Sequence, residues 1–176
     1  MEEEKKGLIF LVGFMGAGKT TLGKQLAKKL QIPFIDMDDL VEQEIGETIA
    51  SFFETYGEAA FRKQEETTLI KLIESSTHSP SVVATGGGTP CFFQNIVRMN
   101  QAGISIYLRP HISHLVGRLW PQRAHRPLIK DLDKEALVGF IQSKLAEREP
   151  FYQQATYTLE GEEASISGLK KILIKA

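Results

Sequence analysis

The feature that most constrains this chain is a glycine-rich segment placed directly after an apolar run. Residues 8–12, Leu-Ile-Phe-Leu-Val, are continuously apolar, which predicts a strand buried on both faces of a parallel sheet. Residues 13–20, Gly-Phe-Met-Gly-Ala-Gly-Lys-Thr, match the pattern G-x-x-x-x-G-K-[ST] in full, and a helix is predicted over 19–30. In that setting the backbone N–H groups of the loop and of the helix N-terminus converge on an anion. The sequence therefore predicts a phosphate-binding loop.

Each part of this loop has an expected task. Gly16 and Gly18 allow the backbone to bend around the anion. Lys19 carries a point charge to the β and γ phosphates of a nucleotide, and the hydroxyl of Thr20 is a candidate ligand for Mg²⁺. The residues expected to bind the nucleotide at this loop are Gly16, Ala17, Gly18, Lys19, Thr20 and Thr21.

The rest of the chain alternates predicted strands with predicted helices, which is typical of an α/β sandwich around a parallel sheet. Further strands are predicted over 34–36, 81–84, 104–108 and 156–159. Further helices are predicted from 38 or 39 to 45 and over 47–55, 58–75, 94–101, 111–120, 133–148 and 166–175. Residues 121–132 are polar, basic and interrupted by prolines, so we expect a mobile loop there.

Length and composition limit the class of protein. The 176 residues suit one domain, 1–176. The 21 basic and 22 acidic side chains give a net charge of −1, which argues against an extended basic surface and so against nucleic acid as a partner. The single cysteine, Cys91, cannot form an internal disulfide, which suits a reducing compartment. The apolar run 8–12 is too short for a signal peptide or a membrane span, so we expect a cytoplasmic protein with no membrane partner.

Polar and glycine residues follow the second and third predicted strands, at the edge where open α/β sheets bind ligands. Asp36 and Asp38 are two apart, and in an extended chain both carboxylates would face that edge. One would then hold the water shell of a metal, and the other would accept a hydroxyl proton. The alternative for Asp38 is a helix cap, and spacing alone does not choose between them. The glycine run 86–88 would leave a backbone edge open to a ligand, with a tight turn as the alternative.

Three arginines are informative only if the fold brings them together. Arg62 lies on a predicted helix with Glu65 and Glu66, where an exposed pair of Arg62 with Glu66 is the simpler interpretation. Arg126 falls in the basic segment, and Arg148 precedes Glu-Pro-Phe-Tyr. Taken singly, each of the last two is interpreted most simply as a solvated cation.

The phosphate loop alone does not fix the reaction. An Asn-Lys-x-Asp motif for guanine is absent from the sequence, which weakens a GTPase interpretation. The predicted strand 81–84 runs into Thr-Gly-Gly-Gly instead of an Asp-Glu pair, which weakens the AAA and transporter-type ATPase interpretations. The small size and short elements favour a small-molecule kinase.

The ordered set of motifs closely resembles the shikimate kinase family. The set spans about residues 8–159 and consists of the phosphate loop, Asp36-x-Asp38, Phe61-Arg62 with Glu65, Gly86-Gly-Gly88, Arg126-Pro-Leu128 and Arg148-x-Pro-x-Tyr152. The resemblance implies a three-layer P-loop fold with five parallel strands in the order 2-3-1-4-5, an acceptor-binding segment at about 37–65 and a lid at about 119–132. It also implies transfer of the γ-phosphate of ATP to the 3-hydroxyl of shikimate, with Mg²⁺ as cofactor, on the route to chorismate and the aromatic amino acids.

The resemblance assigns acceptor-side roles residue by residue. Asp38 is similar to the family aspartate that contacts the reacting hydroxyls, and Asp36 to the one near the magnesium water shell. Arg62 and Arg148 resemble the two arginines that grip the shikimate carboxylate. The further substrate contacts that it implies are Phe53, Phe61, Glu65, Gly86, Gly87 and Gly88.

On the nucleotide side, the resemblance implies two more contacts. Arg126 is similar to the lid arginine that reaches the transferring phosphate, and Arg118 to an arginine that packs on adenine. Lys19 and Arg126 would neutralise phosphate charge while Asp38 accepts the hydroxyl proton, which makes these three the predicted catalytic residues. The C-terminal residues 161–165 diverge from the family pattern, so no adenine contact is assigned there.

Two rival classes of function remain open from the sequence. Another small P-loop kinase, of the gluconate or nucleoside monophosphate type, would share the loop but not the glycine run and the Arg-x-Pro-x-Tyr motif. A non-catalytic nucleotide-binding module would not need Lys19, Asp38 and Arg126 together. The expected partners are ATP and shikimate alone, and the expected oligomeric state is a monomer.

Overall fold

A computed structural model describes residues 7–76, 80–126 and 128–175. Its five strands are β1 (Leu8–Val12), β2 (Phe34–Asp36), β3 (Ser81–Ala84), β4 (Gly103–Arg109) and β5 (Tyr157–Glu160). Its α-helices are α1 (Lys19–Leu30), α2 (Met37–Ile45), α3 (Ile49–Ser75), α4 (Asn95–Ala102), α5 (Ile112–Gln122), α6 (Lys134–Tyr152) and α7 (Ile166–Lys175). Short 3₁₀ turns cover Thr89–Cys91, Arg123–His125 and Gly161–Glu163.

The five strands form one parallel sheet in the order β2-β3-β1-β4-β5, which confirms the fold predicted from the sequence. β1 lies at the centre because all five of its residues are buried and apolar, and it pairs with β3 on one side and β4 on the other. The glycine-rich loop that follows β1 is therefore held at the middle of the sheet's carboxyl edge. β2 and β3 end at the same edge, in Asp36 and in the glycine run 86–88.

The core lies in two layers, one on each face of the sheet. On one face, α1, α5, α6 and α7 cover the sheet, with fully buried Leu26, Leu119 and Leu137. On the other face, α2, α3 and α4 pack with buried Met37 and Leu69. Helices on both faces of a parallel sheet give the expected three-layer sandwich. In the described part of the chain, the helices fall short of the length and apolar content needed to cross a membrane.

Two predicted helix ends were wrong, and both lie at a proline. The helix predicted over 133–148 continues as α6 through Pro150 to Tyr152. Tyr152 is fully buried, and in the last turn of α6 Gln153 N donates to Glu149 O at 2.9 Å. The expected loop 121–132 begins two residues late, because Pro121 and Gln122 belong to α5.

The predicted break between two helices near Gly57 is present as a kink. α3 runs from Ile49 to Ser75, but Gly57 inside it has φ 79° and ψ 176°. A positive φ of this kind is open to glycine and strained for other residues, so the kink stays at this position. It separates residues 49–56 from the helical segment that carries Phe61, Arg62 and Glu65.

Candidate active site

An open cleft of about 740 Å³ lies at the carboxyl edge of the sheet. Its walls come from the phosphate loop and α1, from the two aspartates after β2, from the glycine run after β3 and from α5. Predicted site residues that line it are Gly16, Gly18, Lys19, Thr20, Thr21, Asp36, Asp38, Gly87, Arg118 and Arg126. Arg62, Glu65 and Arg148 are absent from this lining but adjoin the glycine run. The other predicted acceptor-side residues outside the lining are Phe53, Phe61, Gly86 and Gly88.

The phosphate loop has the geometry that its glycines predicted. Gly16 and Gly18 have φ 77° and 98°, in the left-handed region where a side chain would be strained. Ala17 between them is buried against the core. The Lys19 ammonium donates to Gly13 O at 2.7 Å and to Phe14 O at 3.0 Å, so the loop itself orients this charge. Burial lowers the pKa of Lys19 to about 8, against the opposing effect of the nearby aspartates.

The two aspartates do not sit on one extended segment, so that part of the prediction was wrong. β2 ends at Asp36, and Asp38 lies in the first turn of α2. The helix cap is Asp36, whose Oδ1 accepts from Asp38 N at 3.1 Å, instead of Asp38 as the alternative had it. The other oxygen of Asp36 accepts from Thr20 Oγ1 at 2.9 Å. Both carboxylates still face the cleft, because the helix begins there.

Asp38 is enclosed on the side away from the cleft. A Cβ added to Gly86 would lie 2.9 Å from Asp38 Oδ1, so the carboxylate rests directly against the glycine run. Burial on that side, together with the charges of Asp36 and Glu65, raises the pKa of Asp38 to about 6, while Lys19 opposes the rise. Solvent still reaches the carboxylate through the cleft. Its pKa therefore lies close to neutral pH, which suits a group that exchanges protons.

Arg62 is held by two glutamates, and the expected pair with Glu66 does not form. Arg62 NH1 donates to Glu65 Oε2 at 2.6 Å, while Nε and NH2 donate to Glu58 Oε1 at 3.3 and 3.1 Å. Glu66 instead pairs with Lys63 on its own helix and with Arg98 on α4. The guanidinium has five N–H donors, and these contacts use three of them. Within the described part of the chain, one donor on NH1 and one on NH2 have no partner and are left over for a ligand.

Glu65 connects this arginine to the glycine run. Its second oxygen, Oε1, accepts from Thr89 Oγ1 at 2.5 Å, and its side chain is almost fully buried. Thr89 follows the glycines directly, so one carboxylate fixes both Arg62 and the loop after β3. A buried carboxylate with charged and hydroxyl partners satisfies the rule that buried charges are paired.

The glycine run is packed against four site side chains. A Cβ on Gly86 would crowd Asp38 and Glu65, one on Gly87 would lie 3.3 Å from Arg148 NH1, and one on Gly88 would overlap the Arg62 guanidinium. The sequence predicted these glycines as an opening for a ligand. The structure adds that they allow two arginines and an aspartate to approach one short stretch of backbone.

The end of α6 places Arg148 beside this stretch through residues that sequence reasoning did not assign. Tyr107 OH donates to Glu149 Oε2 at 3.1 Å, and Arg109 Nε pairs with Glu149 Oε1 at 2.9 Å. Glu149 neighbours Arg148, so these bonds tie the arginine's turn to β4. The only signal in the sequence was Tyr152 of the Arg-x-Pro-x-Tyr motif, and its hydroxyl bonds the glycine run.

The remaining predicted contacts lie at the two ends of the cleft. Arg118 NH1 donates to Gly16 O at 2.9 Å, so this arginine rests on the phosphate loop. Arg126 NH2 donates to Gln122 Oε1 at 3.2 Å, and Arg126 also lines the cleft. Phe53 is half-exposed and packs on Phe61 with ring centroids 5.6 Å apart.

Comparison with known proteins agrees with this arrangement. A family model described as shikimate kinase matches residues 15–175. The shikimate kinase of Bacteroides thetaiotaomicron is 41% identical over 155 residues, which cover 88% of this chain and 87% of that protein. A crystal structure of shikimate kinase from the same organism has a TM-score of 0.87 and 38% identity, with 95% of this chain and 98% of that chain covered. The structure of shikimate kinase from Acinetobacter baumannii in complex with shikimate has a TM-score of 0.81 and 36% identity, and the match covers 95% of this chain and 90% of that chain. This chain belongs to the shikimate kinase family.

Proposed function

We propose that this chain transfers the γ-phosphate of ATP to the 3-hydroxyl of shikimate, which yields shikimate 3-phosphate and ADP. The observation that carries the proposal is that one short glycine run adjoins Asp38, Arg62 and Arg148 while the same cleft holds Lys19 of the phosphate loop. A phosphate donor and a small hydroxylated carboxylate would meet there. Family membership and the relative with bound shikimate support this acceptor.

At the donor end, two cations would neutralise charge on the transferring phosphate. Lys19 is held by carbonyls of its own loop and Arg126 lines the same cleft, while Arg118, which donates to Gly16 O, would pack on adenine. Phosphoryl transfer depends mainly on positioning and on charge stabilisation of the transition state. Arg126 would act as an arginine finger supplied in cis, a role worth about 10³–10⁵ in rate in related chemistry.

The residues beside the phosphate loop suit Mg²⁺. Thr20 Oγ1 and Asp36 Oδ2 are hard oxygen donors 2.9 Å apart at the cleft, which is the ligand type that Mg²⁺ takes. Among the residues that the structure describes, no group of three or more His, Cys, Asp and Glu side chains could hold a metal ion. Thr20 would therefore bind the ion directly and Asp36 through water, with phosphate oxygens as the other ligands. When bound, Mg²⁺ supplies positive charge at the β and γ phosphates.

At the acceptor end, Asp38 would orient the 3-hydroxyl and accept its proton. Its pKa of about 6 keeps it ionised at neutral pH and still basic enough to take a proton as the oxygen attacks. Lys19 is close enough to act on the Asp38 charge, and both residues line the cleft. A donor phosphate bound at Lys19 would therefore lie near the hydroxyl that Asp38 orients.

The carboxylate of shikimate would bind between Arg62 and Arg148. The two free donors of Arg62 belong to different guanidinium nitrogens, and a guanidinium offers a carboxylate two parallel N–H bonds. Arg148 approaches the same glycine run from α6. This planar double contact favours a carboxylate over the uncharged end of a sugar.

The segment 119–132 would act as a lid that excludes water during transfer. Its two ends are anchored, because Leu119 and Ile129 are both buried in the core. The movable part would lie between these anchors and carries Arg126. We also infer that the enzyme is a cytoplasmic monomer, as the sequence analysis expects.

Release of ADP from ATP and Mg²⁺, measured alone and with shikimate, gluconate, AMP or CMP, tests the function. Strong stimulation by shikimate alone is the expected result. Stimulation by gluconate or a nucleotide would move the chain to another small P-loop kinase activity. Absence of stimulation by every acceptor would favour a non-catalytic nucleotide-binding module.

A further inference from the structure

An aromatic side chain that no motif singled out presents its ring face to the Arg62 guanidinium. The Phe92 ring centroid lies 4.7 Å from Arg62 Cζ, nearer than that of the adjacent Phe61 at 5.2 Å. A cation over an aromatic face is attracted by the ring quadrupole, and arginine also stacks on such rings. We propose that Phe92 is a positioning residue, which sets the plane of Arg62 so that its free donors face the substrate carboxylate. This inference rests on the proposed function and deepens it.

The edges of Arg62 are fixed by ion pairs, but these do not set its tilt. Glu65 holds NH1 firmly because its own side chain is only 3% exposed. Glu58 holds Nε and NH2, but its side chain is 57% exposed, and a surface pair of that kind contributes little. A planar group held mainly at one edge can still rotate about that edge. The ring of Phe92 lies against the guanidinium and so removes this rotational freedom.

The loop that presents Phe92 is strained, which points to a role for its shape. Phe93 and Gln94 follow with φ of 50° and 57°, in the left-handed region that non-glycine residues seldom adopt. Hydrogen bonds fix the loop on both sides, from Cys91 N to Gly88 O and from Asn95 N to Phe92 O, each 2.9 Å. Phe92 itself stays 36% exposed, so burial of the ring does not account for this backbone.

The neighbouring Phe93 is a matched control within the same loop. It is 45% exposed, and the Lys63 ammonium lies 5.3 Å from its ring centroid. Lys63 pairs with Glu66, and its side chain is 68% exposed and not among the cleft-lining residues, so this second contact is the same chemistry outside the site. Replacement of either ring removes a half-exposed phenyl group from the same loop.

Steady-state kinetics of Phe92→Ala and Phe93→Ala separate the two positions. Phe92→Ala should raise the KM for shikimate about 3- to 10-fold, with kcat and the KM for ATP changed less than about twofold. Phe93→Ala should leave all three constants near wild type. Phe92→Tyr, which keeps the aromatic face, should restore the KM, and Phe92→Leu should not. An unchanged KM in Phe92→Ala, or an equal rise in Phe93→Ala, would overturn the inference.

A double-mutant cycle with Arg62→Lys tests whether Phe92 acts through the arginine. The quantity is kcat/KM from initial rates that are linear in shikimate concentration. If Phe92 positions Arg62, Phe92→Ala should lower kcat/KM by less than about twofold in the Arg62→Lys background. An equal loss of kcat/KM on Phe92→Ala in the wild-type and Arg62→Lys backgrounds would show that Phe92 acts independently of Arg62, and would overturn the inference. Wild-type turnover of shikimate is the reference, so failure of the proposed function would appear there first and would overturn both.

Discussion

The phenolic hydroxyl of Tyr152 donates a hydrogen bond of 2.6 Å to the carbonyl oxygen of Gly87, and so joins the last turn of α6 to the middle of the glycine run. Tyr152 is fully buried, and its ring packs on Tyr107 with centroids 5.0 Å apart. Arg148 lies one turn earlier on the same helix. The bond therefore holds this arginine at a set distance from the backbone that Asp38 and Arg62 also contact.

Tyr152→Phe should weaken shikimate binding without affecting ATP. Loss of one hydrogen bond, worth about 0.5–1.5 kcal/mol, leaves the Gly87 carbonyl unbonded by the phenol and loosens the end of α6. We expect the KM for shikimate to rise about 3- to 10-fold in steady-state assays. Tyr157→Phe on β5 is the matched control and should behave as wild type. The same KM in wild type and Tyr152→Phe would contradict the positioning role of this bond.

Arg62→Lys and Arg148→Lys should each raise the KM for shikimate by about tenfold or more, because an ammonium keeps the charge but loses the planar fork. The KM for ATP should change little. Arg98→Lys, which alters an arginine paired with Glu66 outside the cleft, is the control. If both clamp variants retain the wild-type KM for shikimate, the assignment of the carboxylate clamp is wrong.

Asp38→Asn should lower kcat by about 10²–10⁴, the usual range for loss of a general base, because an amide cannot accept the hydroxyl proton. Binding of ATP should persist, as measured by titration with a fluorescent analogue. Asp39→Asn changes the next carboxylate in the same first turn of α2 and should leave kcat near wild type. Turnover of Asp38→Asn at the wild-type rate would remove this residue from the chemistry.

The pH dependence of kcat/KM should report two groups of the free enzyme. Burial raises the pKa of Asp38 to about 6, so kcat/KM for shikimate should rise between about pH 5 and 7 as the carboxylate ionises. Burial lowers the pKa of Lys19 to about 8, so kcat/KM for ATP should fall above that pH as the ammonium loses its proton. A profile for shikimate that is flat across the acid range would contradict the proton-accepting role.

Thr20→Ala should shift the Mg²⁺ titration of activity to higher concentration, because it removes the hydroxyl proposed as a direct ligand. A shift of about tenfold corresponds to loss of one ligand of moderate strength. Thr20→Ser keeps the hydroxyl and should restore the titration. An unchanged Mg²⁺ dependence in Thr20→Ala would count against the ligand role.

The fold and the phosphate loop were predictable because their signals are local. The apolar run 8–12, the glycines at positive φ and the alternation of strands with helices each depend on neighbouring residues. The sheet order came from the resemblance, and the structure confirms it. The predicted end of α6 was wrong because it depends on a contact distant in sequence. The helix continues past Pro150 to Tyr152, whose hydroxyl bonds Gly87 O.

The side-chain partners of the site were less predictable, because they depend on elements far apart in the chain. The spacing of Arg62 and Glu66 suggested a surface pair, but the fold turns Arg62 to Glu65 and Glu66 to Arg98. No rule of spacing places Phe92 on an arginine thirty residues earlier. Asp36 and Asp38 reach the cleft as predicted, but through a helix cap instead of a shared strand face.

The most direct test of the central claim is the structure of the product formed from ATP and shikimate. Two-dimensional ¹H–³¹P NMR of the reaction mixture correlates each phosphate ester with the proton on its carbon. We predict one new phosphomonoester, coupled to the proton on carbon 3 of the ring and formed in the same amount as ADP. Phosphate on another hydroxyl, or inorganic phosphate as the only new phosphorus product besides ADP, would contradict the account.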